Sequence, residues 1–153
     1  MKIRNLRKND YVEVLELIKE QIKYQNKLDG FGVSLLNKKD IERIKQKFDK
    51  SFGSRNLKYF VAEINKKIVG YLTLTIRKDN LRKKGYVGDL FVSQECRGKK
   101  MGEKLMKYTQ DYCKKLSCES VELDVFANNE AAIKLHEKLK YKKIKVNYRK
   151  KLR

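Results

Sequence analysis

The sequence contains no proline and no tryptophan, a single histidine and three cysteines. Long apolar runs are missing too: nothing approaches the roughly 18 consecutive residues of a membrane span, and the N-terminus has no signal-peptide core. The expectation is a soluble, cytoplasmic protein with no membrane partner. Cys96, Cys113 and Cys118 are odd in number and lack CxxC spacing, which argues against a disulfide framework or a structural metal. Reduced thiols and no bound metal fit that pattern. No repeat, linker or low-complexity segment divides the chain, so its 153 residues, 41% of them hydrophobic, are expected to form one domain over 1–153 with a real core.

Acidic residues are scarce as well. Against 39 Lys plus Arg stand 19 Asp plus Glu, a formal net charge of +20. Such a surplus attracts polyanions, with nucleic acid the first candidate. The basic residues nevertheless run through the whole chain, from Lys2 to Arg153, with no RNA-binding signature or helix-turn-helix pattern. Nucleic acid is therefore not the expected partner. A lysine-biased proteome accounts for the charge, and the positive field would help recruit an anionic cofactor.

Periodicity orders the elements. Ile3 to Arg7 reads as a strand, and Asn9 or Asp10 caps a helix striped by Tyr11, Val14, Leu15, Ile18 and Ile22. A loop with Gly30 and Gly32 follows. Ile41, Ile44 and Phe48 mark a second helix ending near Gly53. Tyr59 to Ile64 and Ile68 to Ile76 flank Asn65-Lys66-Lys67 as a hairpin, and a basic loop from Arg77 to Lys84 leads into the strand Asp89 to Val92. Leu105, Met106, Thr109, Tyr112, Cys113 and Leu116 share one face of a third helix. Val121, Leu123 and Val125 alternate as a strand, and Ala132, Leu135, His136 and Leu139 stripe a fourth helix. Ile144, Val146 and Tyr148 alternate with Lys143, Lys145 and Asn147 as a final strand.

The chemistry concentrates where the Asp89 strand meets Arg97-Gly98-Lys99-Lys100-Met101-Gly102 and then a helix. A basic, glycine-bearing turn at a helix N-terminus is an anion site, because free N–H groups and the positive end of the dipole face its occupant. The turn lacks the Gly-Lys-Ser/Thr ending of a Walker loop and the G-x-G-x-x-G of a dinucleotide fold. It resembles motif A of the general-control-type N-acetyltransferase (GNAT) superfamily, in which a strand ending in apolar-Val is followed by Arg/Gln-x-x-Gly-x-Gly/Ala. The stretch Val121 to Tyr141, VELDVFANNEAAIKLHEKLKY, is similar to that family's downstream strand, Asn-x-x-Ala helix and closing Leu-Gly-Phe segment. The resemblance implies an α/β GNAT fold, with a mixed central sheet of about six strands, about four helices and a splayed strand pair that binds acetyl-CoA.

By the same resemblance, Leu90, Phe91 and Val92 would bind the pantetheine arm through their backbone and polarise the thioester carbonyl. Arg97, Gly98, Lys99, Lys100, Met101 and Gly102 would hold the pyrophosphate. Lys100 stands where the family has its first motif glycine; with helical dihedrals it would need no positive φ. Asn129 caps the fourth helix or contacts the cofactor arm. His136 stands at the family's general-acid tyrosine, and it is either that acid or a histidine packed beside Leu135 and Leu139. Asp89, with Glu63 behind it, is the candidate general base, the alternative being a solvated strand carboxylate. A bulge would switch the face on which Asp89 lies.

The implied activity is acetyl transfer from acetyl-CoA to a primary amine by direct attack in a ternary complex. Cys96 adjoins the turn, but no histidine stands nearby in sequence to support an acyl-cysteine route. The other reading is a basic nucleic-acid-binding or CoA-sensing protein that uses the fold without catalysis. The acceptor, a small-molecule or protein amine, is not legible; Tyr24 to Asn37 and the hairpin after Ile76 usually shape its pocket in the family. A homodimer is left open.

Overall fold

A computed structural model describes residues 1–30 and 36–152. Gly32 and the middle of the expected loop from Tyr24 to Asn37 lie outside the described residues, as does Arg153. Strand β1 (Lys2–Asn5) leads through a short 3-10 turn into α1 (Tyr11–Asp29), then α2 (Lys38–Gly53), β2 (Leu57–Ile64), β3 (Lys67–Asp79) and β4 (Arg82–Val92). A second 3-10 turn precedes α3 (Met101–Lys115), followed by β5 (Ser120–Leu123) and α4 (Glu130–Lys138). Among the described residues the sheet has five strands in chain order, antiparallel from β1 to β4 and parallel between β4 and β5.

The sheet is buried on both faces, which explains the nearly continuous apolar character of β2 and β3. Phe60, Ala62, Leu72 and Leu74 pack on one face with Leu105, Met106 and Cys113 of α3. Their neighbours Tyr59, Val61 and Tyr71 point the other way, against Val14 and Leu17 of α1 and Phe48 of α2. Each fully buried large side chain here contributes about 1.5–3 kcal/mol of transfer free energy. No helix among the described residues is long and apolar enough to cross a membrane.

Three local expectations are corrected. The basic loop from Arg77 to Lys84 is strand: Arg77 pairs with Lys84, Lys78 with Lys83 and Asp79 with Arg82. Asn80 and Leu81, at φ 42° and 78°, make the two-residue turn whose hand matches the strand twist. Helix α1 runs on through Tyr24 to Asp29, so part of the expected loop is helical. The expected final strand is absent, since residues 141–152 carry no regular structure and Ile144 and Tyr148 are 79% and 91% exposed. Alternation there meets no neighbouring strand, and without one it has no face to bury.

Asp10 and Glu63 also find structural work. Arg4 reaches Asp10 Oδ2 and Glu63 Oε2, both at 2.7 Å, and the Arg7 N–H donates to Asp10 at 2.7 Å. Burial opposes ionisation of Asp10, but hydrogen bonds from Arg4 and from the Arg7 backbone outweigh it and hold the carboxyl below its usual range. Glu63, the second candidate base after Asp89, is thus paired with Arg4.

At Gly85, Cys113 of α3 presses close on the sheet. A Cβ there would lie 2.5 Å from Cys113 Sγ and 3.2 Å from Leu74 Cδ1. Gly85→Ala is expected to destabilise the protein by about 1–3 kcal/mol in denaturant unfolding, with Cys113→Ala restoring part of the loss in the double variant. Wild-type stability of Gly85→Ala would contradict this packing.

Candidate active site

The site begins where β4 and β5 part. Their parallel register runs from Lys84 opposite Ser120 to Val87 opposite Leu123 and goes no further. From Asp89 to Val92, β4 pairs with β3 alone, which leaves its other edge, from Gly88 on, without a strand among the described residues. On the β3 side the register slips between Thr73 and Leu74: Thr73 faces Asp89 and Leu74 faces Val87, so Gly88 is the extra residue of a bulge. The bulge switches faces as the alternation allowed. Val87 packs with the α3-side core, whereas Phe91, and with it Asp89, lies on the α1–α2 side.

Asp89 is held from three directions. Thr73 Oγ1 donates to Oδ2 at 2.8 Å, Gln21 Nε2 donates to Oδ1 at 3.2 Å, and Lys47 Nζ stands 3.7 Å from Oδ2. The Tyr71 hydroxyl in turn donates to Gln21 Oε1. A Cβ at Gly88 would lie 2.9 Å from Thr73 Oγ1, so this glycine keeps the space in which the hydroxyl meets Asp89. Burial, and then the nearby Asp89 carboxylate, push the Tyr71 and Tyr59 phenols above their ordinary range, keeping both protonated at neutral pH. Asp89, Gln21, Lys47, Tyr59 and Tyr71 line a cavity of about 440 Å³ between α1 and α2, walled also by Ile18, Ile22, Leu36 and Ile44.

Gln21, Thr73, Lys47, Tyr59 and Tyr71 were not singled out by sequence. Gln21 carried a readable signal: Val14, Leu17 and Gln21 are the buried positions of α1, and a glutamine in that apolar stripe needs polar partners inside.

The basic turn lies at the far end of the open edge. Arg97 folds back on the strand: its Nε donates to Val92 O at 3.2 Å, and its guanidinium sits 4.7 Å from the Tyr24 ring and 5.3 Å from Phe91. Lys99 and Lys100 are exposed, Gly98 has φ 76°, and Met101 is buried. Helix α3 starts without a side-chain cap, which leaves N–H groups of its first turn for an outside acceptor. Gly102 sits in close packing, since a Cβ there would meet Leu135 Cδ2 at 3.2 Å and Leu90 Cδ2 at 3.9 Å. Lys100 departs from expectation. Its φ of 59° and ψ of 20° are left-handed, not helical, so lysine carries a strain of about 1–2 kcal/mol that glycine would avoid.

Asn129 caps α4, its Oδ1 accepting from Ala132 N and from the Tyr24 hydroxyl, each at 3.3 Å. His136 is half-buried on α4, edge-on to Tyr141 at 5.6 Å, and it does not line the Asp89 cavity. Its Nδ1 is buried with no partner among the described residues, and burial pushes the imidazole below its ordinary value. The ring is thus neutral at pH 7. A proton on Nε2 spares an unmatched buried donor at Nδ1. Half-buried Glu103 joins α3 to α4: hydrogen bonds from Lys138 at 2.6 Å and Lys107 at 2.9 Å hold its carboxyl at about 2.

The geometry has counterparts among known proteins. A family model described as acetyltransferase (GNAT) family matches residues 22–141. N-alpha-acetyltransferase 30 of Dictyostelium discoideum is 30% identical over 90 residues, 59% of this chain and 49% of that protein. An N-alpha-acetyltransferase of Saccharolobus solfataricus is 32% identical over 99 residues, 59% of either chain. The chain thus covers between about half and three-fifths of the length of these curated relatives. In three dimensions it is similar to a tetramutant of the BH1408 protein from Bacillus halodurans, with TM-score 0.86, 25% identity and coverage of 99% of this chain and 100% of that one. Aminoglycoside N-acetyltransferase AAC(6')-Iy in complex with CoA aligns with TM-score 0.78 over 99% of this chain and 94% of its own; at 16% identity the likeness is one of fold.

Two measurements check the local physics. Lys100→Gly should raise stability by about 0.5–1 kcal/mol, because relief of the left-handed strain exceeds the entropy gained by the unfolded chain. A less stable variant would contradict that strain. For His136 the folded state binds its proton less readily than the unfolded state. Its contribution is therefore fully present above the unfolded value of about 6.5 and is lost as pH falls through the lower folded value. His136→Phe should flatten this acid-side decline in unfolding free energy, and an unchanged pH profile would argue against a buried neutral ring.

Proposed function

Because the chain belongs to the acetyltransferase (GNAT) family, we propose that it is an acyltransferase that moves an acetyl group from acetyl-CoA to a primary amine, as one catalytic domain. The observation that carries this reading is the unpaired edge of β4 from Gly88 to Val92, running beside a carboxylate that faces a cavity. An open strand edge offers N–H and C=O groups spaced to receive an extended chain, so the residues present fit a pantetheine arm. The turn from Arg97 to Gly102 and the uncapped start of α3 fit its pyrophosphate.

Bound acetyl-CoA supplies an activated thioester. The backbone of Leu90, Phe91 and Val92 aligns the arm, and an N–H of this stretch donates to the carbonyl oxygen as negative charge develops there. Asp89 Oδ1 and Oδ2 orient the acceptor ammonium and take a proton from it, directly or through water. Thr73 and Gln21 fix the carboxylate for that task. His136 Nε2 gives a proton to the departing sulfur; a thiol with a reference pKa of about 8.5 needs only modest help. Ile18, Ile22 and Ile44 give the cavity an apolar wall. The curated relatives named above, both N-alpha-acetyltransferases, favour an alpha-amine as the first acceptor to test.

Acetyl-CoA binding to the native state at about 100 times its Kd should add roughly 2.7 kcal/mol and raise Tm, while an amine panel identifies the acceptor by release of free CoA. Asp89→Asn should keep the Tm shift and lower kcat by about 10²–10⁴. His136→Phe should lower kcat by about 10² or more, with His136→Tyr retaining much of the rate. No Tm shift with millimolar acetyl-CoA would overturn the reading, and an intact shift with no turnover of any amine would favour a CoA-sensing role.

A further inference from the structure

The acceptor cavity already contains a primary amine. Four charged side chains line it: Asp40, Arg43, Lys47 and Asp89. Asp40 is occupied at the start of α2, where its Oδ2 accepts the Asn37 N–H at 3.0 Å and its other oxygen lies 3.8 Å from Arg43. Lys47, on the same helix, lines the cavity with a side chain that is 48% exposed. Its Nζ stands 3.7 Å from Asp89 Oδ2 and 6.0 Å from the centre of the Tyr59 ring. A carboxylate on one side and an aromatic face on the other form the environment that selects a primary ammonium. Lys47 is the one lysine among the cavity's lining residues.

We propose that Lys47 is an internal acceptor: in the absence of an external amine the protein acetylates this side chain. The inference rests on the transferase reading above. Lys47 is tethered beside the proposed base, so its local concentration exceeds that of any dilute amine. An incoming ammonium must displace it from Asp89. In the transfer, Lys47 Nζ passes one proton to Asp89, and its lone pair attacks the thioester carbonyl carbon of acetyl-CoA. The new N–C bond forms, the C–S bond breaks, and CoA leaves as a thiolate that takes up a proton. The second amine proton goes to solvent. The product, an amide, carries no charge and no longer pairs with Asp89.

The full-length protein is incubated with acetyl-CoA and no amine, and acetylation of each lysine is followed by peptide mass spectrometry. Lys47 should react at least about tenfold faster than Lys150, at a rate independent of protein concentration. Asp89→Asn should bring Lys47 down to the Lys150 rate without changing Lys150. A cofactor-free readout supplies the contrast: with acetic anhydride, Lys47, also exposed but paired with Asp89 at 3.7 Å, should react no faster than Lys150, so the preference for Lys47 is confined to acetyl-CoA. Lys47→Arg, which preserves the charge, should remove the label at that position and leave the other lysines unchanged. Equal rates at Lys47 and Lys150, a rate that rises with protein concentration, or the same order with both donors would overturn the proposal. If acetyl-CoA still raises Tm and external amines still turn over, such a result removes the internal acceptor alone. Loss of the Tm shift and of all turnover removes the transferase reading itself.

Discussion

Parallel pairing between β4 and β5 stops at Val87 and Leu123, and the site depends on where it stops. Backbone N–H and C=O groups on a strand edge must be satisfied by something. Beyond Val87 nothing from β5 does so, and the same stretch is bulged at Gly88 on its other side. The bulge and the parting of strands act together. The parting leaves an edge of β4 unpaired, and the bulge turns Asp89 toward the α1–α2 cavity at the adjoining position. The turn at Gly98 and Lys100 then brings the start of α3 to the end of that edge.

Buried polar groups in this region are connected rather than isolated. Tyr71, Gln21, Asp89 and Thr73 form one chain of hydrogen bonds, with Lys47 at its open end. An unpaired buried polar group costs about 1–3 kcal/mol, so the arrangement holds only while all its members are present. That dependence fixes the carboxylate's orientation. His136 is different, with a buried Nδ1 that has no partner among the described residues and a ring kept neutral by burial. On the proposed reading, base and acid are separated in space and by the kind of surroundings each has.

Much of the fold was legible because its signals are local. The stripe of α3 and the apolar runs of β2 and β3 are periodicities that a buried face imposes, whereas only Val14 of the α1 stripe and Phe48 of the α2 stripe are buried and the α4 stripe is half-exposed throughout. Both motif blocks rest on residues close together in the chain. What sequence did not yield depends on distant partners. Ile144, Val146 and Tyr148 alternate like a strand, yet a strand exists only against a neighbour, and these side chains are exposed. Thr73 and Lys47 acquire meaning only when β3 and α2 are set beside Asp89. The direction of Asp89 required the bulge, which no pattern in the sequence fixes. Lysine also hid backbone geometry: Lys66, Lys100 and Lys140 all have positive φ, in a chain with eight glycines. Lys140 ends α4 in the left-handed conformation while Tyr141 N bonds back to His136 O at 2.9 Å, the helix stop that usually carries glycine.

The central claim is that the free edge of β4 receives the cofactor's extended arm. Hydrogen exchange of individual amides, measured with and without saturating CoA, tests this most directly. Amides of Gly88–Val92 that point away from β3 should exchange rapidly in the free protein and slow by about tenfold or more with CoA, while amides bonded within β2 and β3 change little. Unchanged exchange along Gly88–Val92 with CoA demonstrably bound would place the ligand elsewhere and contradict the account.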